Sequence, residues 1–494
     1  MMRGGMRGTR AWRLLAIACL VLVSAPPADA ATRRAFLSRL WAARGLDASA
    51  KDGAAAMISS GLVGDVPSDL SRPVTRREAM RWCVQSLGLA FEADVLADAP
   101  APFTDAHALS RFERGCAFVG VHMRPPLLAR ADAFHGAQRL TDRDMEALLQ
   151  RVSRAAQGLT LDVELVPLGG MTLRIHRDGV PTGVPKWRVF ADGLKDEEAA
   201  GAARRALAAK GFDLSVVRSN DGWALRSQLM EDYVAVRRLT ALIEARGLTP
   251  RTLPSVANAD PSLRPRYWAL LTIDPAEWRL SPVASDGGPR ALATLSEIVR
   301  SSGAEAALNA GFFAVTSGGR GYPIGALRAG GETLSAPHPG RGALGWNDEN
   351  EAMFGPLAAS GGEIAGPTGE DWSSMACVVQ AGPLLLDDGR PVGGDEGFSS
   401  SVVSLRHPRS AVGLTEEGEW AFLIVDGRNG LHATGATLSE LTEILLSCGV
   451  SHALNLDGGG STGLIVGGRA YGSPSEGKER PISYAIGASR RRDR

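Results

Sequence analysis

The feature that most constrains the fold is a series of short apolar segments in residues 266–494, each of which ends at a glycine-containing turn. Trp420–Val425 is an uninterrupted apolar run that leads directly into Asp426 and Gly427. Runs of about four to eight apolar residues bounded by turns are typical of buried strands. Helical patterns such as Leu438–Cys448 are in the minority here. We therefore predict that residues 266–494 form an α+β domain with a mixed sheet.

Residues 31–155 have a helical pattern. Three apolar stripes at helical spacing each follow a charged first turn and a threonine, which is a common N-cap residue. These threonines are Thr32, Thr75 and Thr141. Together with Phe103-Thr104-Asp105, the pattern resembles S-layer-homology modules, and this resemblance implies docking to a cell-wall polymer. A helical spacer is the alternative interpretation.

Residues 156–253 predict a small α/β module. Strand-like and helical segments follow one another in the order β-α-β-β-α from Trp187 onwards, and Trp223–Arg226 is one of the strands. This order resembles a SPOR domain, which implies binding to peptidoglycan glycan strands. A generic ferredoxin-like module is the alternative. Residues 254–265 are rich in proline and predict a linker. The predicted fold class is therefore multidomain α/β and α+β.

Residues 1–30 predict a secretory signal peptide instead of a part of the fold. Four arginines precede the apolar run Leu14–Val23, and Ala28-Asp29-Ala30 matches the small-residue pattern at which signal peptides are cleaved. The run is too short to span a bilayer, although a short membrane anchor is an alternative. Cleavage after Ala30 predicts an exported, periplasmic or cell-surface protein without a transmembrane segment.

The charge balance excludes several classes of protein. The 54 lysines and arginines equal the 54 aspartates and glutamates, so neither nucleic-acid binding nor polybasic membrane attachment is expected. Four cysteines follow the predicted cleavage point. In an exported protein they permit the disulfides Cys83–Cys116 and Cys377–Cys448, and buried free thiols are the alternative. Their spacing fits no zinc site.

The strongest local evidence for a functional site lies between Ala453 and Leu464. An apolar strand carries two polar residues two positions apart, so their side chains are expected on one face. Three glycines follow, whose amides can form a concave anion site, and neighbouring hydroxyls can add donors. No lysine follows, which excludes a Walker loop. The residues expected at a ligand are Asn455, Asp457, Gly458, Gly459, Gly460, Ser461 and Thr462.

Other strand ends in this region carry polar residues beside glycine or arginine. Glycine lets a backbone approach a ligand closely, while histidine and arginine can provide acid–base chemistry and an anion clamp. Each segment also has an ordinary structural interpretation, such as a surface turn or a local ion pair. The candidate residues are Asn309, Gly311, Phe312, Gly382, His407, Arg409, Asp426 and Arg428.

Taken in this order, the segments resemble the phosphodiester glycosidase family. The matching stretches are NAGFF at 309–313, GPLLL at 382–386, HPRSAVG at 407–413, VDGR at 425–428, GATLSEL at 435–441 and NLDGGGSTGLIV at 455–466. The first 265 residues contribute nothing to this resemblance. It implies hydrolysis of a GlcNAc-like sugar from a sugar-1-phosphodiester in a cell-wall or exopolysaccharide glycoconjugate.

That reaction gives each candidate an expected role. Asp457 and Asp426 would act as nucleophile or base, because the bond breaks through an oxocarbenium-like state at C1 of the sugar. Arg409, Arg428 and the glycine amides would neutralise the phosphate, and His407 could donate a proton. The two asparagines would orient sugar hydroxyls or the carboxylates. Whether the configuration at C1 is retained or inverted stays open.

Two alternatives belong to other functional classes. Asp457 and Asp426 could instead hold a divalent cation together with the phosphate, as in a phosphodiesterase that cuts the P–O bond. A non-catalytic protein that binds phosphoglycans or peptidoglycan is the second alternative. A divalent cation is thus the one cofactor that the sequence leaves open, and the expected partner is a glycan or phosphoglycan.

Overall fold

The computed structural model describes residues 30–219, 222–258, 260–358 and 363–491. The predicted signal peptide lies outside this part of the chain, apart from Ala30, which forms an isolated bridge with Thr141. Within the described residues, no helix combines the length and the apolar character that a membrane span requires.

The first region is helical, as predicted, and its threonines cap three of the helices. The hydroxyls of Thr32, Thr75 and Thr141 each accept a hydrogen bond from the backbone amide three residues ahead. Thr75 also forms a reciprocal capping box with Glu78. The helices are α1 (Arg33–Ala43), α2 (Gly53–Ser60), α3 (Arg76–Ser86), α4 (Ala90–Val95), α5 (Arg111–His122) and α6 (Asp142–Ala155).

The next two strands correct the predicted start of the α/β module at residue 156. β1 (Thr160–Leu168) and β2 (Met171–Asp178) form an antiparallel hairpin. β2 pairs along its whole length with the strand Arg266–Ile273, so the hairpin extends the largest sheet of the C-terminal region. Local periodicity predicts that a segment is a strand. It does not predict which strand pairs with it when that strand lies about ninety residues further along the chain.

The α/β module itself has the predicted order of elements, with one further strand. It consists of β3 (Lys186–Leu194), α7 (Glu197–Ala208), β4 (Leu214–Ser219), β5 (Gly222–Ser227), α8 (Tyr233–Glu244) and β6 (Thr249–Ser255). The sheet order is β4-β5-β3-β6, with antiparallel neighbours. The predicted linker from residue 254 therefore begins inside β6. The prolines of β6 are tolerated because it is an edge strand.

The C-terminal region contains most of the strands. Its elements are β7 (Arg266–Ile273), β8 (Trp278–Val283), α9 (Leu295–Ser302), β9 (Ala306–Asn309), β10 (Phe313–Val315), β11 (Gly321–Pro323), β12 (Leu327–Ala329), β13 (Glu332–Ser335), β14 (Gly342–Trp346), β15 (Ala352–Pro356), β16 (Cys377–Gln380), β17 (Leu384–Asp387), β18 (Arg390–Pro391), α10 (Ser400–Ser404), β19 (Arg409–Thr415), β20 (Trp420–Val425), α11 (Leu438–Ser447), β21 (Val450–Asn455), β22 (Leu464–Val466), β23 (Arg469–Ala470) and β24 (Ala485–Arg490).

These strands form three larger sheets and the small pair β10–β11. The largest has eight strands in the order β1-β2-β7-β20-β19-β21-β17-β18, and two five-stranded sheets have the orders β23-β22-β9-β24-β8 and β13-β12-β16-β14-β15. The pairs between their described strands are antiparallel, so the predicted mixed sheet is wrong. Short turns such as the one between β19 and β20 allow only antiparallel neighbours, since a parallel pair needs a longer crossover.

The helical region and the C-terminal sheet share one hydrophobic core. Phe36 of α1 and Trp82 of α3 belong to the same continuous buried cluster as Leu271 of β7 and Phe422 of β20. The helical region is therefore packed into the C-terminal domain, whereas the sequence pattern predicts a separate module.

The described cysteines are free thiols. Cys83, Cys116 and Cys377 are buried, and burial raises the pKa of each of these thiols. The alternative of unpaired thiols is thus confirmed for these cysteines, and the disulfides Cys83–Cys116 and Cys377–Cys448 are absent from this part of the chain.

Candidate active site

Three strand ends of the largest sheet meet at one edge. Arg409 begins β19 and pairs with Val425, the last residue of β20. Asn455, the last residue of β21, pairs with Ala411 of β19. Because the strands are antiparallel, the residues before β19 and those after β20 and β21 lie together. They surround a cleft of about 250 Å³, lined by Phe312, Val402, His407, Pro408, Arg409, Arg428, Asn455, Leu456, Asp457, Gly458, Gly459, Gly460 and Arg480.

Asp457 follows β21 directly and is the carboxylate that lines this cleft. Its backbone is fixed on both sides, because its amide donates to the Ala310 carbonyl at 3.0 Å and its carbonyl accepts from Asn309 Nδ2 at 2.6 Å. Partial burial raises the pKa of Asp457 to about 6, although the Ser461 hydroxyl and the Arg480 guanidinium oppose the rise. Asp457 is therefore mostly ionised at neutral pH and becomes protonated in mild acid.

The two predicted asparagines have different positions. Asn309 is buried behind the cleft, and its Oδ1 accepts hydrogen bonds from Ser410 Oγ at 2.6 Å and from the Gly463 amide at 3.1 Å. Of the two roles expected for Asn309, its contacts fit the positioning of Asp457, because its Nδ2 donates to the Asp457 carbonyl and its Oδ1 is occupied behind the cleft. Asn455 lines the cleft, and its Nδ2 donates to the Gly382 carbonyl at 2.7 Å. Its buried Oδ1 has no hydrogen-bond partner within the described chain, so it can accept from a ligand hydroxyl.

The glycine triplet Gly458–Gly460 makes room for two arginine side chains at the cleft. The Gly459 amide donates to the Pro408 carbonyl at 2.9 Å, so this amide is not available to the anion site expected at the triplet. A Cβ atom at Gly459 would lie 3.2 Å from Arg428 Nη2, and one at Gly460 would lie 2.4 Å from the guanidinium carbon of Arg480. Glycines at these positions let two guanidinium groups lie against the backbone at the cleft.

Arg409 is a buried cation at the cleft wall. Its guanidinium donates to three backbone carbonyls, those of Ala436 at 2.9 Å, Val402 at 2.6 Å and Leu405 at 2.9 Å. Burial lowers the pKa of Arg409 to about 10, so it stays protonated at neutral pH. No ion pair between described residues includes Arg409, which leaves its charge available for an anion in the cleft.

His407 is engaged through both ring nitrogens. Its Nε2 lies 3.0 Å from the Ser401 carbonyl and therefore carries the proton, since a carbonyl can only accept. Nδ1 is then the acceptor for Arg428 Nη2 at 3.3 Å. Both ring nitrogens of His407 therefore have partners in the described chain, and one of these contacts holds Arg428 at the cleft.

Asp426 does not reach the cleft. Its buried carboxylate accepts hydrogen bonds at Oδ2 from His432 Nε2 at 2.8 Å and from the Ser473 amide at 2.7 Å. Burial raises the pKa of Asp426 and these two hydrogen bonds oppose the rise. Contrary to the prediction, Asp426 therefore does not line the cleft together with Asp457. The described residues contain no cluster of three or more His, Cys, Asp or Glu side chains suited to a metal ion.

The remaining predicted residues divide between the cleft and its surroundings. Phe312 lines the cleft, and its ring lies 5.3 Å from that of Phe398. Gly311 lies behind it, where a Cβ atom would lie 2.3 Å from the Tyr484 hydroxyl. Gly382 has a φ of 109° and supplies the carbonyl that holds Asn455. Ser461 and Thr462 line a smaller neighbouring cavity, not the cleft.

Arg480 is the functional candidate that the sequence does not reveal. It lines the cleft, lies against Gly460 and forms an ion pair with Glu476. It stands in a polar loop without periodicity, in a chain in which arginine is common. The neighbouring glycines are the one feature of the sequence that points to Arg480. They leave space for a side chain at this place, but they do not specify which residue supplies it.

Comparison with known proteins finds similarity in the C-terminal region, which contains the cleft. Residues 302–489 match the family model described as phosphodiester glycosidase. The N-acetylglucosamine-1-phosphodiester alpha-N-acetylglucosaminidase of Bos taurus is 28% identical over 227 residues, which cover 42% of this chain and 40% of the relative. The Homo sapiens protein of that name is 26% identical over 217 residues, 40% of each chain. This chain thus spans about 40% of the length of these curated relatives.

Among solved structures, the zebrafish N-acetylglucosamine-1-phosphodiester alpha-N-acetylglucosaminidase catalytic domain, auto-inhibited by its pro-peptide, aligns with a TM-score of 0.38. It has 20% identity and covers 46% of this chain and 79% of the zebrafish chain. The matched range 302–489 includes the cleft residues Phe312, Arg409, Arg428 and Asp457. Residues 302–489 of this chain are therefore similar to the phosphodiester glycosidase family.

Proposed function

We propose that this protein is an exported hydrolase that releases a GlcNAc-like sugar from a sugar-1-phosphodiester in a cell-wall or exopolysaccharide glycoconjugate. The observation that carries the proposal is one carboxylate, Asp457, in a cleft that also presents Arg409, Arg428 and Arg480. Three cations around one carboxylate suit a substrate whose phosphate is anionic and whose reacting carbon becomes positive.

The phosphate end of the substrate lies against the arginines. Arg409 is held by backbone carbonyls, while Arg428 and Arg480 lie against Gly459 and Gly460, so little side-chain entropy is lost when the anion binds. As the C1–O bond breaks, negative charge grows on the departing phosphate. Guanidinium groups already in place stabilise that charge without rearrangement.

The sugar end lies against Asp457 and Asn455. Asn455 Oδ1 accepts from a sugar hydroxyl, which satisfies a buried oxygen that otherwise has no partner in the described chain. Asp457, ionised near neutral pH, assists at C1 by direct attack or by activating water. The products are the free sugar and a phosphomonoester, with one water consumed. Because a phosphate monoester leaves readily, this cleft needs no second carboxylate as general acid.

The test uses the full chain and a synthetic N-acetylglucosamine 1-(methyl phosphate) in water enriched in heavy oxygen. Cleavage at C1 puts the label into the free sugar, whereas cleavage at phosphorus puts it into the phosphate and releases methanol. Asp457→Asn should lower kcat by roughly 10⁴-fold or more. Asp388→Asn is the matched control, because Asp388 is exposed in a turn away from the cleft.

Each outcome decides between the candidate functions. Label in the phosphate supports the phosphodiesterase, and binding without product supports the phosphoglycan-binding protein. Near-normal release of sugar by Asp457→Asn contradicts the proposal. The configuration of the first sugar formed, read by NMR, distinguishes direct attack from water activation.

We also propose that the protein is exported and attached to the cell wall. Support comes from the apolar start with its small-residue cleavage pattern, and from the helical region and the α/β module that precede residues 302–489. Cosedimentation of the full chain with purified peptidoglycan tests the attachment, with a glycan stripped of stem peptides as a second arm. Failure to sediment with either preparation contradicts it and leaves the helices a structural role.

A further inference from the structure

A chain of four buried charges connects the helical region to the loop after β20. Arg177 Nε of β2 lies 2.9 Å from Glu92 Oε1 of α4, and the same oxygen lies 3.1 Å from His432 Nδ1. His432 Nε2 lies 2.8 Å from Asp426 Oδ2. None of the four side chains is more than 5% exposed. Positive and negative charges alternate in the series Arg177, Glu92, His432 and Asp426, so each buried charge has a neighbour of opposite sign.

His432 is held as a cation at the centre of this chain. Both ring nitrogens face carboxylate oxygens, which can only accept, so both nitrogens carry protons. The rings of Phe91 and Tyr267 pack against the imidazole, with centroid distances of 4.5 and 4.7 Å. The two carboxylates outweigh the effect of burial and raise the pKa of His432 to about 9.

The bond between His432 and Asp426 closes the loop that carries Arg428. Asn429 and Ala433 exchange two backbone hydrogen bonds, which turns the chain so that His432 points back towards Asp426. Arg428 lies inside this closed loop with a φ of 62°, a left-handed conformation that costs a non-glycine residue free energy. Such a conformation persists only where the surroundings impose it.

The helical region touches this loop at a second point. A Cβ atom at Gly88, between α3 and α4, would lie 2.3 Å from the Leu431 carbonyl. The backbone of the helical region therefore packs directly against the residue that precedes His432.

We propose that Glu92 is a positioning residue for the glycosidase cleft. By holding the His432 imidazolium, it keeps the loop from Asp426 to His432 closed and Arg428 directed at the phosphate. The helical region is then a working part of the active site, although Glu92 lies outside residues 302–489. The effect on catalysis rests on the proposed function, whereas the effect on the position of Arg428 does not.

The groups that face His432 come from several elements. Glu92 belongs to α4, Tyr267 to β7 and Asp426 to the loop itself, while Arg177 of β2 faces Glu92. Asp178, Tyr471 and Arg469 act at longer range on Arg177 and Tyr267. Glu92 and Asp426 are thus the anions that determine the charge of His432 in this environment.

The test replaces Glu92 by glutamine, which keeps the shape and removes the charge. We expect Glu92→Gln to lower kcat/KM about 10²-fold, because a displacement of roughly 1 Å in a catalytic group has such an effect. As the pH is raised, the activity of the variant should begin to fall at a lower pH than that of the wild type, because His432 loses its proton more easily without the Glu92 carboxylate. The matched control is Glu113→Gln, since Glu113 is also a buried glutamate of the helical region but caps α5 away from His432.

A second variant covers the case in which Glu92→Gln does not fold. Glu92→Gln/Arg177→Gln removes one buried charge of each sign, so it lowers the cost of burying an unpaired charge. It still removes the carboxylate that holds the His432 imidazolium, and it should therefore show the same loss of kcat/KM. Unchanged kcat/KM and an unchanged pH profile in a folded variant would overturn the proposal.

A crystal structure of the variant separates this proposal from the proposed function. If the wild type releases no sugar, the proposed function fails and the position of Arg428 decides the inference alone. Arg428 Nη2 still within hydrogen-bond distance of His407 Nδ1 would overturn it, and a displaced Arg428 would support it.

Discussion

Replacement of Gly460 by alanine should reduce catalysis while leaving stability nearly unchanged. The new Cβ atom would lie 2.4 Å from the Arg480 guanidinium carbon and 2.5 Å from its Nε. Ordinary carbon contacts are about 3.5–4.0 Å, so the guanidinium must move by roughly 1 Å or more. A flexible side chain can make this movement, whereas a rigid backbone could not.

The two consequences have different sizes. The ion pair between Arg480 and Glu476 is partly exposed, so its loss costs at most about 1 kcal/mol. Gly460 does not have a positive φ, and alanine at such a position gains about 0.4–1 kcal/mol by restricting the unfolded chain. These terms nearly cancel. A displacement of about 1 Å in a group that contacts the transition state, in contrast, lowers the rate about 10²-fold.

The assay measures kcat/KM for N-acetylglucosamine 1-(methyl phosphate) and the free energy of unfolding in urea. Gly393→Ala is the matched control, because a Cβ atom there meets nothing within 4 Å and its φ is also not positive. The substitution is repeated in an Arg480→Ala background, where it should have little further effect. Wild-type kcat/KM in Gly460→Ala, or an equal loss in the Arg480→Ala background, would refute the reasoning.

Three further predictions concern charge. Asp457→Asn should raise the free energy of unfolding at pH 7 by about 1–2 kcal/mol. The pKa of the Asp457 carboxyl is raised to about 6 in the fold, so its ionisation destabilises the folded state as the pH rises through that value, and asparagine removes this cost. An unchanged or lower thermal midpoint at pH 7 contradicts this. Arg409→Lys should raise KM roughly tenfold, because an ammonium cannot reach three carbonyls and an anion together; Arg406→Lys, which alters an ion pair outside the cleft, is the control. His432 is protonated in the fold up to about pH 9, so its contribution to the free energy of unfolding is complete below pH 6.5 and should disappear as the pH rises through 9. His432→Gln should remove this decrease in stability at high pH. A decrease of the same size in the His432→Gln variant contradicts the assignment.

The candidate site was predictable in part because several of its residues follow directly from local patterns. Asp457, Asn455, Arg409 and Arg428 stand at the ends of apolar strands, where polar side chains are expected at an edge of a sheet. Antiparallel pairing then brings those ends together. The same pattern also marks Asp426, which the structure buries beside His432. A side chain at a strand end can turn towards the cleft or into the core, and periodicity does not distinguish the two directions.

Local interactions, by themselves, determined the elements of this protein. Threonine caps at Thr32, Thr75 and Thr141, apolar runs and glycine turns act within a few residues, so the sequence was sufficient to predict them. Packing between distant segments determined the rest. It joined the hairpin from Thr160 to the C-terminal sheet, placed Arg480 against Gly460, and set Glu92 of the helical region against His432. Such contacts depend on burial and charge pairing across long separations, which no local pattern records.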